Sequence, residues 1–373
     1  MIYFDNAATT LQKPPRVADA MRRTVGIAAG PGRGAHKNAM AAADILFNTR
    51  ETLAEFFCTD SPESVIFTSN ATHSLNIALQ SLLPKRGVVL HSSHEHNAVM
   101  RQLYVAEQVT LRQVDCPLFN ANATLENWRK ALDGDVKLAV LCHASNVFGS
   151  LTPVEGIAAL CAARGVPLVL DAAQSCGHVP IIAENLPNTV ICVPGHKGLY
   201  GPQGTGILIV PQRMKLEPFM RGGTGSLSLR REMPDDYPDR LEAGTQNMPG
   251  IAGLHEGVKF VMQKGFDAVL THEHKLMALL IVELSKLSSV TLYHGDSRQQ
   301  LGVLSFSVAD KDSEDIANEL SRYGIAVRAG LHCAPLAHRN VGTLAHGTVR
   351  VSFSIFNTER EVREFARRLK AIL

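Results

Sequence analysis

This sequence has no Cys-x-x-Cys pair, no run of 18 apolar residues, no internal repeat and no excess of charge of either sign. Each absence excludes something. With no paired spacing, the cysteines at 58, 116, 142, 161, 176, 192 and 333 read as the reduced thiols of a cytosol. With no long apolar run there is no candidate membrane span, and Asp5 and Asn6 interrupt the start where a signal peptide needs apolar residues. The expectation is a soluble, cytoplasmic chain with no membrane partner. The net charge is +2, and basic residues are scattered apart from Arg22-Arg23 and Arg367-Arg368, which leaves no nucleic-acid footprint. Chemistry on a small molecule is the class that remains.

What is present is ordinary globular material, 45% apolar against 19% charged over 373 residues. That suits two domains sharing one site. Short apolar runs recur at Ser64–Phe67, Gly87–Leu90, Leu138–Leu141, Pro167–Leu170, Val190–Val193 and Gly206–Val210. Continuous rather than alternating apolarity predicts strands buried on both faces. The amphipathic stretches between them, such as Leu75–Leu83 and Val154–Ala163, predict an α/β domain with a mainly parallel sheet. After Gly250 the pattern predicts one long helical stretch over Ile251–Leu287, then strands at Val303–Val308 and Val349–Phe353, making a smaller α+β domain. The contact between the two is the expected site.

Polar residues gather just after the predicted strands, where an open α/β sheet places its ligands. Phe67–His73 passes from strand to helix, so its amides and the Thr72 hydroxyl could face a phosphate, or Thr72 could simply cap the helix. Asp171 ends a buried strand and needs a partner, either a protonated pyridine nitrogen or an ordinary ion-pair or capping contact. Lys197 lies between Gly195 and Gly198, in a loop where a lysine can form a Schiff base with an aldehyde or merely be solvated. His91, His94 and His96 invite zinc, but no further ligand set accompanies them, and no metal site is expected; one histidine lying against a flat ring is sufficient use. Cys333 sits in a polar, glycine-containing loop, with Arg328 and His332 near enough in sequence to favour a thiolate. The other six cysteines read as small core residues.

Taken together, these segments resemble the cysteine desulfurase and selenocysteine lyase family, the class V branch of fold-type I pyridoxal-phosphate enzymes. The likeness spans nearly the whole chain, through Tyr3–Thr10, Arg33–His36, Glu95-His96, Ser145-Asn146, Asp171–Gln174, Gly195–Lys197, Glu242–Thr245, Arg328–Cys333 and Arg350–Thr358. The resemblance implies a large cofactor-binding domain over 16–255, and a small domain made of 1–15 and 256–373. It implies that Lys197 carries pyridoxal 5'-phosphate, Asp171 meets the ring nitrogen, Gln174 approaches the ring oxygen and His96 lies on the ring. Ala71, Thr72 and His196 would hold the phosphate, with Thr245 arriving from the second subunit of a homodimer whose interface also involves Arg33–His36. Arg350, Asn146 and Ala8 would bind substrate, Arg350 through its planar fork. L-cysteine would become L-alanine while Cys333 keeps the sulfur as a persulfide for an acceptor protein. Pro194 and Leu331 depart from the pattern, standing where relatives have serine and histidine, and Asn70–His73 replaces a more usual Gly-Thr-Thr. The competing expectations are selenocysteine lyase, another class V reaction such as transamination or β-elimination, and a scaffold without chemistry.

Overall fold

The computed structural model describes residues 1–31, 34–59 and 61–373. Its strands in chain order are β1 (Ile2–Tyr3), β2 (Val65–Thr68), β3 (Val88–Ser92), β4 (Thr110–Val114), β5 (Val136–Cys142), β6 (Leu168–Asp171), β7 (Thr189–Pro194), β8 (Gly206–Ile209), β9 (Val290–Tyr293), β10 (Val303–Val308), β11 (Ile325–Ala326) and β12 (Val349–Ser352). Seven form the main sheet, in the order β2-β8-β7-β6-β5-β3-β4, with β8 antiparallel to both its neighbours and the other pairings parallel. Every residue of β6 is buried, Leu168 and Leu170 on one face and Val169 on the other, each in its own core cluster. This is the arrangement that unbroken apolar runs predict.

A second sheet, β12-β10-β9, is antiparallel and rests on the helices Phe266–Leu284 and Glu359–Ile372 through Leu280, Leu304, Phe306 and Phe365. The N-terminal strand β1 pairs in parallel with β11, and Phe4 joins this C-terminal core. The architecture is α/β with a mainly parallel sheet beside a smaller α+β unit. Among the described residues, no helix is long and apolar enough to cross a membrane.

Three expectations need correction. The stretch Ile251–Leu287 is two helices, Met248–Lys264 and Phe266–Leu284, because Gly265 takes φ +80° and breaks the ladder between them. The edge strand β4 escaped prediction, since Thr110–Val114 is polar and largely uncovered and carries no apolar run. Cys58 is exposed, not core: it ends the helix Lys37–Phe57 in the left-handed conformation, φ 49°.

Candidate active site

The carboxyl ends of β5, β6 and β7 deliver Cys142, Asp171 and Pro194 to one edge of the main sheet. There they wall an open cavity of about 550 Å³, together with Asn70, Ala71, Thr72, His96, Asn146, Gln174, His196 and Lys197. At one end lies the start of the helix Ala71–Leu82. Asn70, not Thr72, caps it by accepting from the His73 amide (2.9 Å), so capping by Thr72 is ruled out and Thr72 stands exposed at the cavity. A helix start of this kind favours an anion. Asp171, also in the lining, accepts from the Ala173 amide (2.9 Å). His96 caps the helix Asn97–Tyr104 by accepting from the Ala98 amide (3.0 Å), which fixes its ring at the cavity wall.

Burial governs the charges. It presses the Lys197 ammonium down to about 8; the Asp171 carboxylate pulls it back up, and Arg350 and Arg328 add to the fall. Burial raises the Asp171 carboxyl, opposed by the Ala173 amide and by Lys197. His96 and His196 are both lowered to about 4, by burial first and then by nearby cations, so both rings are neutral near pH 7. The backbone under Lys197 is firmly tied: Thr10 Oγ1 donates to the carbonyls of His196 (3.1 Å) and Lys197 (3.3 Å), and Lys13 Nζ donates to that of His196 (2.9 Å). Gln174 donates to the Ala7 carbonyl (3.0 Å) and borders a smaller inner cavity, which also touches Lys197, His178 and Glu273.

Cys333 is exposed, on a loop anchored to this site. Asn146 Nδ2 donates to the His332 carbonyl (2.7 Å), and the Asn97 amide, next to His96, donates to that of Cys333 (2.7 Å). Arg328 Nη2 reaches Cys333 Sγ at 3.8 Å. His332 does not join it: its ring is buried and turned toward His338, so help from His332 in forming a thiolate is overturned. Arg350 is not at the cavity wall either. Its Nη2 donates to Asp5 (2.6 Å) and its Nη1 to the Asn146 carbonyl (2.8 Å), while Nε is buried with no partner among the described residues. Ala8 sits in the turn closed by its amide on the Asp5 carbonyl (3.1 Å), away from the cavity lining, and Thr245 is exposed elsewhere. Arg33 lies outside the described residues; His36 caps the helix Lys37–Phe57.

Of the zinc-like trio only His96 faces the cavity. His91 and His94 are buried apart from it, and no cluster of three or more metal-ligating side chains occurs among the described residues. Sequence reasoning gave no site role to Asp5, Glu95 or Cys142. Glu95 Oε1 accepts from Ser92 Oγ (2.6 Å) and the Cys142 amide (2.7 Å), and burial lifts its carboxyl to about 8. Cys142 pairs in register with Asp171, so the end-of-strand rule that found Asp171 would have found it too. Nothing local to Asp5 announces Arg350.

The residues that converge here fit pyridoxal phosphate. A buried carboxylate and a lysine that feels its charge line one cavity with a helix start suited to a phosphate. Comparisons with known proteins show the family. The sequence model of the family described as "Aminotransferase class-V" matches residues 2–365. A probable cysteine desulfurase of Mycolicibacterium paratuberculosis is 33% identical over all of this chain, which spans 55% of that protein. One of Methanothermobacter thermautotrophicus is 30% identical, again over the whole chain and 94% of the relative. The apo structure of a cysteine desulfurase from Thermococcus onnurineus superposes with a TM-score of 0.91 at 29% identity, covering 100% of this chain and 94% of that one. The fold is fold-type I, and the chain belongs to the class V aminotransferase family.

Proposed function

We propose that this protein is a pyridoxal-phosphate-dependent cysteine desulfurase, converting L-cysteine to L-alanine and holding the sulfur on Cys333. The observation that carries the reading is the union of two features. Lys197, Asp171 and His96 meet in one cavity, and the loop of an exposed cysteine is tied to that cavity through Asn146 and Asn97. Two relatives named as probable cysteine desulfurases match over the whole chain, which supports it further.

In this reading Lys197 would hold the cofactor covalently, Asp171 would keep its ring nitrogen protonated, and His96 would lie on the ring. Gln174 would approach the ring oxygen, while Ala71, Thr72 and His196 would receive the phosphate. The cofactor supplies an electron sink for the carbon bearing the substrate amine. Lys197 Nζ, freed when the substrate amine takes its place, would then move the α proton, a task suited to an amine lowered to about 8. Asn146, whose Oδ1 is buried with no partner among the described residues, orients the substrate. Arg350 takes the substrate carboxylate in exchange for Asp5, with Ala8 in the adjoining turn. Cys333 Sγ attacks the substrate sulfur; the C–S bond breaks, an S–S bond forms, and L-cysteine plus the enzyme thiol become L-alanine plus the persulfide.

The reading also includes the division into 16–255 and 1–15 with 256–373, a cytoplasmic location, a sulfur-acceptor protein, and a homodimer in which Thr245 serves the neighbouring site. The test is alanine release from L-cysteine by pure protein loaded with pyridoxal phosphate, beside Cys333→Ala, with the cofactor absorbance followed. Alanine from wild type alone supports the reading. Absorbance change with no alanine would leave a cofactor enzyme of another class, and full turnover by Cys333→Ala would make the cysteine incidental.

A further inference from the structure

The loop that carries Cys333 holds an unusual backbone. His332 and Cys333 both take positive φ, 52° and 56°, and Gly330 takes 88°. For residues with a Cβ this is a sparsely populated region that persists only where the surroundings enforce it. Part of the enforcement is visible in the ties from Asn146 and Asn97 and in the Thr348 amide donating to the Gly330 carbonyl (3.2 Å). Another part is a line of side chains running inward from the loop. His332 Nε2 lies 3.4 Å from the Arg328 carbonyl, and its Nδ1 lies 3.4 Å from His338 Nε2. His338 Nδ1 lies 2.8 Å from Thr343 Oγ1. The two imidazoles are buried, with planes 10° apart and centroids 5.6 Å apart, and Phe148 packs beside His338.

The direction of every bond in this line follows from one end. A carbonyl only accepts, so His332 Nε2 carries the hydrogen, and in a neutral ring its Nδ1 must accept. His338 Nε2 is therefore the donor, its Nδ1 accepts, and the Thr343 hydroxyl donates. Burial, Arg350 and His338 lower His332 to about 2, and burial lowers His338 to about 4, so both rings stay neutral at working pH. The line ends on the backbone of Arg328, whose guanidinium stands 3.8 Å from Cys333 Sγ and whose main chain bridges Arg350.

We infer that His338, through His332, is a positioning residue that sets Arg328 and the Cys333 loop for sulfur transfer. The catalytic part of this inference rests on the desulfurase reading; the positioning part concerns the thiol alone. The decisive variant is His338→Phe, which keeps a ring beside Phe148 and removes both nitrogens. The readout is the rate at which iodoacetamide modifies Cys333, followed by peptide mass, with exposed Cys58 as the internal reference in the same molecule. Expected are a several-fold slower reaction at Cys333, an unchanged rate at Cys58, and a kcat for alanine release lower by about tenfold with KM little changed. His338→Gln, which restores a donor to His332, should recover most of the Cys333 rate. An unaltered Cys333-to-Cys58 ratio in His338→Phe would overturn the inference, as would equal changes at both cysteines with a lowered Tm, the mark of general loosening. If wild type released no alanine, the desulfurase reading would fail while the ratio still decided the positioning claim.

Discussion

At the scale of single residues, the site is governed by what burial does to charge. Lys197 is a base held near neutrality, and Asp171 is the group that counters that effect. Covalent uptake of pyridoxal phosphate needs the neutral amine, so uptake by apo protein should rise with pH and level off above about 8. Asp171→Asn removes the charge that raises Lys197, so the plateau should begin at lower pH, whatever happens to the absolute rate. Stopped-flow absorbance across pH 6 to 10 measures both curves, and a plateau displaced upward in the variant would contradict this account. Asp171 was legible in the sequence because it directly follows an apolar run, and Lys197 because it lies in the glycine-flanked turn just after one. Asp5 was not, because its partner Arg350 is 345 positions away.

At the scale of elements, glycines decide where segments turn and how closely they approach. Gly265 takes φ +80° with open space where a Cβ would go, so Gly265→Ala should lower stability by about 1 kcal/mol from backbone strain alone and leave kcat intact. Gly177 differs. At φ +89° its Cβ would stand 2.2 Å from the Gly198 carbonyl oxygen, one residue past Lys197. Gly177→Ala should therefore displace the Lys197 segment and cost kcat tenfold or more along with stability, on the order of a 1 Å misplacement of a reacting group. Urea denaturation and alanine release on the two variants separate the effects; equal behaviour would refute the distinction. The six strands of the main sheet that the sequence revealed have buried apolar runs, whereas β4 is an edge whose residues need not be apolar.

At the scale of the whole molecule, the loop after β6 and the helix Phe266–Leu284 meet through half-buried His178 and buried Glu273, with Nε2 to Oε1 at 3.4 Å. Burial works against the His178 imidazolium, but Glu273 together with the backbone of Gln174 and Cys176 outweighs it and the ring's pKa is raised. The stability from a raised histidine is fully present below its unfolded value of about 6.5 and fades as pH rises through the folded value. Glu273→Gln should consequently lower Tm more at pH 6 than at pH 8, and a larger loss at pH 8 would show that the pairing is not ionic. Assembly is a second expectation at this scale. Sedimentation at working concentration should give a dimer, and a monomer would remove Thr245 from the proposed phosphate site.

The sequence by itself determined the α/β class, the positions of the sheet's central strands, and the candidates Asp171, Lys197 and His96. These signals are local: apolar runs, turn residues and strand ends act within a few positions of one another. Tertiary structure alone decided the facing of side chains in loops. It exposed Cys58, turned His332 away from Cys333, drew Arg350 to Asp5 and built the line from Thr343 to Arg328. Those directions are set by contacts between residues far apart in the chain, such as Asn146 and Asn97 on the Cys333 loop, and no local pattern encodes them.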